Sequence, residues 1–344
     1  MPPLRYMTPF AFLALLPLGG WLGGAWTFMA AAATPLFLTS FDEAFGGEDP
    51  RLDDGGAAAR WMPRIYVLLQ LAVTGWTAWW VARGSTSLVE AIGLTLSAGV
   101  TTGVFGFVAA HEMIHSRLPW ERALGLALLG TVFYMHFRIA HVHGHHVRAA
   151  TADDPASARE GEGLYAFLVR SVGGQLREAW QFEARHQRRA DRRVIRAGNR
   201  MLVYFAIEGA FLAAVALTSL KALAFVVAVA VIAVALLESF NYVAHYGLTR
   251  IIEADGRLER LAPHHSWNSG RRMNNAALFN MGRHSDHHRR MTRSYEQLEP
   301  LIGCAELPSG YAAALLTALV PPLWRRVMDP RVAIVMARSY EGTP

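Results

Sequence analysis

Fourteen histidines stand in this 344-residue chain, and nine of them fall into four tight groups. His111 and His115 lie in His111-Glu112-Met113-Ile114-His115. His141, His145 and His146 lie in His141-Val142-His143-Gly144-His145-His146. His245 follows Asn241-Tyr242-Val243-Ala244, and His284, His287 and His288 lie in His284-Ser285-Asp286-His287-His288. Residues four apart share a helix face, so His111 with His115, and His141 with His145, can each present two imidazoles to one metal. The doublets His145-His146 and His287-His288 point in different directions and can serve two metals or two walls of one site. Neutral imidazoles without thiolates suit Fe, Zn, Cu or Ni. Nine exceed the about four to six donors of one such ion, so two metals are the natural count.

The other histidines read differently. His136 and His186 are expected as hydrogen-bonded surface residues, and His143 projects away from the face shared by His141 and His145. His264 and His265, in Pro263-His264-His265-Ser266-Trp267-Asn268-Ser269, read as structural neighbours of a site rather than ligands. A competing reading takes His111-Glu112-x-x-His115 as the H-E-x-x-H motif of a zinc protease, with the Glu as base. It needs just one more ligand and gives the remaining histidine groups no role.

The elements that must position these groups are those of an integral membrane protein. Hydrophobic residues make up 53% of the chain and charged residues 17%, against about 25% charged in soluble domains, and mean hydropathy is positive at +0.21. Four stretches have the about 20 apolar residues that a spanning helix needs: 63–82, 88–110, 201–220 and 222–242. A fifth, 8–40, is too long for one helix and carries Gly19-Gly20 and Gly23-Gly24, so it reads as a hairpin, giving six crossings in an all-α bundle. Residues 124–140 read as an interfacial or re-entrant helix. No cleavable signal peptide is expected. The whole chain, 1–344, reads as one domain, with a cap built from 111–200 and 245–344.

Net charge is +6, yet a single lysine, Lys221, means that nearly all basic charge is arginine. Eleven arginines lie between Arg148 and Arg200 and nine between Arg250 and Arg293. Such blocks flanking apolar spans mark the cytoplasmic side, which places all four histidine groups there. No nucleic-acid motif is present, and no nucleic-acid partner is expected. The one cysteine, Cys304, excludes an intrachain disulfide or a Cys-pair redox centre, so electrons must come from another protein. The Ala/Arg/Gly bias points to a GC-rich bacterium, hence to its inner membrane.

These residues resemble the membrane-bound non-haem diiron hydroxylases, specifically the alkane 1-monooxygenase family and its relatives acting on alkyl-aromatic methyl groups, within the fatty acid desaturase-like superfamily. The likeness rests on His111 to His115 and on Gly144-His145-His146 followed by Ala150-Thr151-Ala152-Asp153-Asp154-Pro155-Ala156-Ser157. It also rests on Asn241-Tyr242-x-x-His245-Tyr246-Gly247-Leu248, on Pro263 to Ser269, on Arg283 to His288 and on Val320 to Pro330, in the family's order from about Asp42 to Arg331. It implies a six-helix membrane bundle with a cytosolic cap, and two irons held by His111, His115, His141, His145, His146, His245, His284, His287 and His288. It further implies O2-dependent hydroxylation of an unactivated C–H bond, such as the terminal methyl of an alkane or alkyl chain entering from the membrane lipid. The electrons would come from a rubredoxin or ferredoxin-type donor with its NAD(P)H reductase.

Two positions depart from the family pattern: Ala140 and Ala244 stand where a Glu usually precedes the ligand, which alters the charge and hydrogen bonding around the metals. Glu112, Asp153, Asp154, Asp286 and Asn241 are candidates to orient imidazoles. Trp76, Trp79, Trp80, Phe105 and Phe107 lie on the helices leading to His111 and are a candidate apolar channel, although such aromatics more often serve packing or interfacial belts. The arginines from Arg177 to Arg200 suit an acidic electron donor, and equally the topology rule alone. Besides hydroxylase and zinc protease, a related lipid desaturase would share the metals and differ in product. A transporter fits less well, because it would place charges at the membrane midplane.

Overall fold

The computed structural model describes residues 3–45, 56–83, 85–253 and 255–341. The last three residues of the expected cap and Gly84 of the turn after the 63–82 helix lie outside the described residues. The fold is all-α. Its elements are α1 (Thr8–Leu22), α2 (Met29–Phe45), α3 (Gly56–Ala82), α4 (Leu88–His115), α5 (Pro119–Thr131), α6 (137–148), α7 (Leu164–Arg189), α8 (Arg200–Thr218), α9 (Leu220–His245), α10 (Arg272–Ala277), α11 (His284–Arg289), α12 (Tyr311–Ala318) and α13 (Pro321–Glu341). A two-residue parallel pairing, Trp267–Asn268 with Ala305–Glu306, is the one sheet among the described residues.

Among the described residues, four helices are long and apolar enough to cross a membrane: α3, α4, α8 and α9. Each begins or ends within a few residues of the expected span, except that α4 continues past 110 to carry both His111 and His115. The 8–40 stretch does split in two, and α1 and α2 pack on each other. The break falls at Gly23 and Gly24, whose φ of 71° and 54° is a conformation that glycine adopts at little cost. Helices of 15 and 17 residues are shorter than the four spans. Residues 124–140 form the end of α5, a turn and the first residues of α6 rather than one helix.

Helix α4 is the hub, touching α1, α2, α3, α5 and α9. Its capping box is complete, with Glu90 N–H donating to Ser87 Oγ and Ser87 N–H to Glu90 Oε2. Gly99 and Gly103 form a G-x-x-x-G pair on the face toward α9. A Cβ at Gly99 would stand 2.7 Å from Ile232 Cβ, and one at Gly103 2.9 Å from Ala233 Cα. Close approach of small residues is how membrane helices gain packing energy, since lipid offers no hydrophobic drive between them. The two helices so joined end at His115 and His245.

Asp42, at the end of α2, accepts from Met273 N (2.8 Å) and Asn274 N (3.0 Å), capping α10 and tying the first helix pair to the cap. Replacing Gly103 with Val should force α4 and α9 apart, cost about 1–3 kcal/mol as overpacking does, and lower the metal content of the purified protein. A thermal melt in detergent with metal analysis checks both, and a variant as stable and as metal-rich as the parent would contradict this packing.

Candidate metal centre

The nine histidines expected as ligands converge. His111, His115, His141, His146 and His287 form one group, and His145, His245, His284 and His288 a second. The inward atom is Nε2 throughout. In the first group His111 and His141 approach to 2.8 Å, His146 and His141 to 3.1 Å, His146 and His115 to 3.2 Å, and His146 and His287 to 3.1 Å. In the second, His245 lies 3.0 Å from His284 and 3.2 Å from His288, with His284 and His288 3.1 Å apart. At metal–nitrogen distances of about 2.1 Å, donors at right angles stand about 3.0 Å apart. The rings of His146 and His288 come within 4.7 Å, so the groups are adjacent.

One expectation about pairing is corrected. His141 and His145 do not share a group, because residues 141–145 form a π-helical turn. Its i→i+5 closure brings His146 rather than His145 beside His141, and turns His145 to the second group. The i, i+4 rule holds where the helix is regular, at His111/His115 and at His284/His288. The doublets 145–146 and 287–288 each divide between the groups, as their directions imply.

The surroundings orient these rings. His145 donates from Nδ1 to Asp154 Oδ2 (2.7 Å), leaving Nε2 buried and without a partner. Burial acts to raise Asp154, but His145 and Ser157 outweigh it and hold the carboxyl below its usual range. Phe137 stacks on His141 with centroids 4.7 Å apart, and Phe240 meets His284 edge-on at 5.6 Å. The segment around Trp267, absent from the ligand set, clamps α11: Ser285 N donates to Asn268 Oδ1 (2.9 Å), Ser285 Oγ to Pro263 O (2.6 Å), and Trp267 Nε1 to Tyr246 O (2.8 Å).

Of the five acidic or amide candidates, Asp154 alone bonds a ligand ring. Glu112 accepts from Tyr295 N (3.3 Å), Asp286 accepts from Arg290, Arg293 and Glu299 N, Asn241 bonds Glu238, and Asp153 is exposed. Ala140 and Ala244 are buried among apolar neighbours. His143 stacks on Phe182 (4.6 Å, 3°), and His186 is exposed as expected. His136, expected at the surface, is buried, and burial pushes it down to about 4.

Glu259, His264 and His265 form a third cluster of possible donors. His265 Nδ1 accepts from Ala262 N (2.9 Å), so its neutral ring carries the proton on Nε2, which faces Glu259 Oε2 at 3.2 Å. A ring so engaged offers no lone pair to a cation, and the cluster is a structural clasp.

A cavity of about 190 Å³ leads to the metal groups. It lies between α2, α4, α9 and α12, and its lining includes His111 and His141 of the first group and His284 of the second, with Pro35, Leu38, Val104, Val108, Phe240 and Leu315 among the other wall residues. The aromatic channel expected from α3 and α4 is corrected: Phe107 alone lines this cavity, Trp79 is half exposed, and Phe105 is core. No residue of α3 is among those lining the cavity.

The donor set fits transition metals. Buried rings outside the spans (His141, His146, His284, His287 and His288) are pushed well below the ordinary imidazole value, by burial first and then by one another. They are therefore neutral, with lone pairs free for a cation. An unfolded chain takes up these protons near pH 6.5 while the fold does not, so stability is present above that pH and lost as pH falls below it. The melting temperature of metal-free protein should hold between pH 7 and 8 and fall between about pH 6.5 and 5; a rise on acidification would contradict the assignment. Replacing Asp154 with Asn should weaken metal binding by about 10–100-fold, read by chelator competition, and unchanged retention would remove its orienting role.

Comparison with known proteins gives the lineage. The fatty acid desaturase family model matches residues 85–302. The chain is 38% identical over 281 residues to alkane 1-monooxygenase 2 of Pseudomonas aeruginosa, covering 80% of this chain and 74% of the relative. It is 36% identical over 317 residues to alkane 1-monooxygenase 1 of that organism, covering 89% and 83%. It is also similar, at 28% over 333 residues (94% and 87%), to the xylene/toluene monooxygenase hydroxylase component XylM of Pseudomonas putida. Nine converging histidines in a desaturase-like frame, with relatives matched over most of the chain, lead to one assignment: the chain belongs to the fatty acid desaturase-like family, on the branch that includes the alkane 1-monooxygenases.

Proposed function

We propose that the chain is an O2-dependent membrane hydroxylase of unactivated C–H bonds in alkyl chains or alkyl-aromatic methyl groups. One iron is held by His111, His115, His141, His146 and His287, and a second by His145, His245, His284 and His288. When bound, the two irons supply the oxygen chemistry that puts one O atom into the substrate and releases the other as water. The protein's part is to hold the imidazoles neutral and inward, to keep water out, and to align a C–H bond. The observation that carries this reading is the apolar cavity whose lining includes histidines of both groups.

Its size bears on substrate. A pocket of about 150 Å³ accommodates benzene, so a cavity of about 190 Å³ fits an aromatic ring or a short alkyl end. Alkyl-aromatic methyl groups are therefore a specific second substrate class, in keeping with the likeness to XylM. The zinc protease reading loses its support: His111 and His115 group with three further histidines, and Glu112 is engaged with Tyr295 N.

Electrons are supplied by a separate rubredoxin or ferredoxin-type protein. On α7 and the turn after it, Arg177, Arg185, Arg188, Arg189, Arg192, Arg193 and Arg196 stand exposed, a surface that complements an acidic donor. His143 on Phe182 joins that helix to the ligand-bearing turn. The arginine blocks also put the cap in the cytoplasm, with the protein in a bacterial inner membrane and the α1–α2 pair completing six crossings. Iron-loaded protein with rubredoxin and its reductase should convert n-octane to 1-octanol, or toluene to benzyl alcohol, with one atom from ¹⁸O2 in the product. No alcohol from either, in protein carrying both metals, would overturn the reading.

A further inference from the structure

The polar groups on the cavity wall are not equivalent. Asn274 is fully spent: its Nδ2 donates to Leu38 O and Asp42, and its Oδ1 accepts from Ala312 N. Thr34 turns its hydroxyl proton back to Ala30 O (2.7 Å). Asn241 differs. Its Nδ2 donates to Glu238 Oε2 (3.3 Å), while among the described residues nothing donates to its Oδ1. A carboxylate accepts hydrogen bonds and does not donate them, so this contact fixes which way the amide faces and leaves the carbonyl to the cavity.

Glu238 is itself wholly buried within α9, where an ionisable side chain is costly and marks function. Its Oε1 accepts from Tyr134 Oη (2.8 Å), and its Oε2 from Ser171 Oγ (2.6 Å) and Gln175 Nε2 (2.8 Å). Donors from the turn before α6, from α7 and from α9 thus hold the carboxylate in place, and it holds Asn241. The result is an oriented, unpaired acceptor on a wall that is otherwise nearly all apolar, in the same cavity as His111, His141 and His284. A hydrocarbon has no use for it. A hydroxyl group does.

We infer that Asn241 Oδ1 is a hydroxyl-binding group, which accepts the O–H of a primary or benzylic alcohol lying with its carbinol carbon toward the histidines. Asn241 touches the bound molecule, and Glu238 is the positioning residue behind it. The cavity thereby distinguishes an alcohol from the hydrocarbon of the same shape and retains hydroxylated molecules beside the metals. This rests on the hydroxylase reading for its setting, since that reaction makes such an alcohol at this place.

The test compares n-octane with 1-octanol on metal-loaded protein in detergent, without reductant so that nothing turns over, by thermal-shift titration. Asn241→Leu keeps the branched shape and removes the acceptor; Asn241→Thr restores an acceptor oxygen. For Asn241→Leu, 1-octanol affinity should fall about tenfold, the worth of one hydrogen bond, with n-octane unchanged within about twofold and Asn241→Thr recovering most of the loss. In turnover, inhibition of octane oxidation by 1-octanol should weaken in parallel. Equal weakening of both ligands would reduce Asn241 to packing, and unchanged octanol affinity would show that its oxygen is not reached; either overturns the inference. Absence of hydrocarbon turnover in the parent protein would instead contradict the proposed function, and the binding contrast is scored independently of it.

Discussion

Eight buried imidazoles and the half-buried His146, with their Nε2 atoms turned toward one another and many near 3 Å apart, are an arrangement that no apolar core favours. Each ring gives up hydration, and burial holds the cap rings neutral, so their lone pairs meet without protons enough to join them. A pair of cations removes that conflict, and structural metals contribute folding energy of their own. Much of the remaining structure follows from meeting this demand. Two long helices, α4 and α9, approach closely enough through Gly99 and Gly103 to deliver His115 and His245 to one end of the bundle. The short cap helices supply the other rings and are clamped from outside by Asp154, Pro263 and Asn268.

The identity of the nine residues was legible in the sequence, because imidazoles four apart on a helix face, or doubled at a helix end, suit a shared cation far better than they suit an apolar bundle. Their division between two sites was not. The i, i+4 rule assigns His141 with His145, and the π-helical turn reverses that by putting His146 in register with His141. A single widened turn leaves no clear mark in composition, although Gly144, over which Glu178 packs, permits the close approach there. Asp154 was one candidate among five, and only geometry separates it from Asp286, which serves arginines instead. The four long spans were legible from apolar length. The cavity was not, since aromatic residues on helices leading to His111 point equally to lipid, to core or to a channel. The positions of α2 and α12, unremarkable in sequence, decide which residues line it.

Membrane and metal requirements meet in that cavity. Spans that bury apolar side chains against lipid produce, between α2, α4, α9 and α12, an apolar space that water does not favour and a hydrocarbon does. The lining of the same space includes histidines of both groups, so substrate placement and metal placement are set by one helix packing. Where the family pattern carries a Glu before each of two ligands, this chain has buried Ala140 and Ala244. Negative charge beside the two histidine groups is correspondingly less, and His145–Asp154 is the one carboxylate contact to their rings among the described residues.

The central claim is that five and four imidazoles hold two irons in unequal surroundings. Iron-57-enriched protein, purified in detergent, should contain two Fe per chain by elemental analysis and give two distinct high-spin ferrous components of equal area in its reduced Mössbauer spectrum. Fully active protein containing one zinc and no iron would contradict that claim.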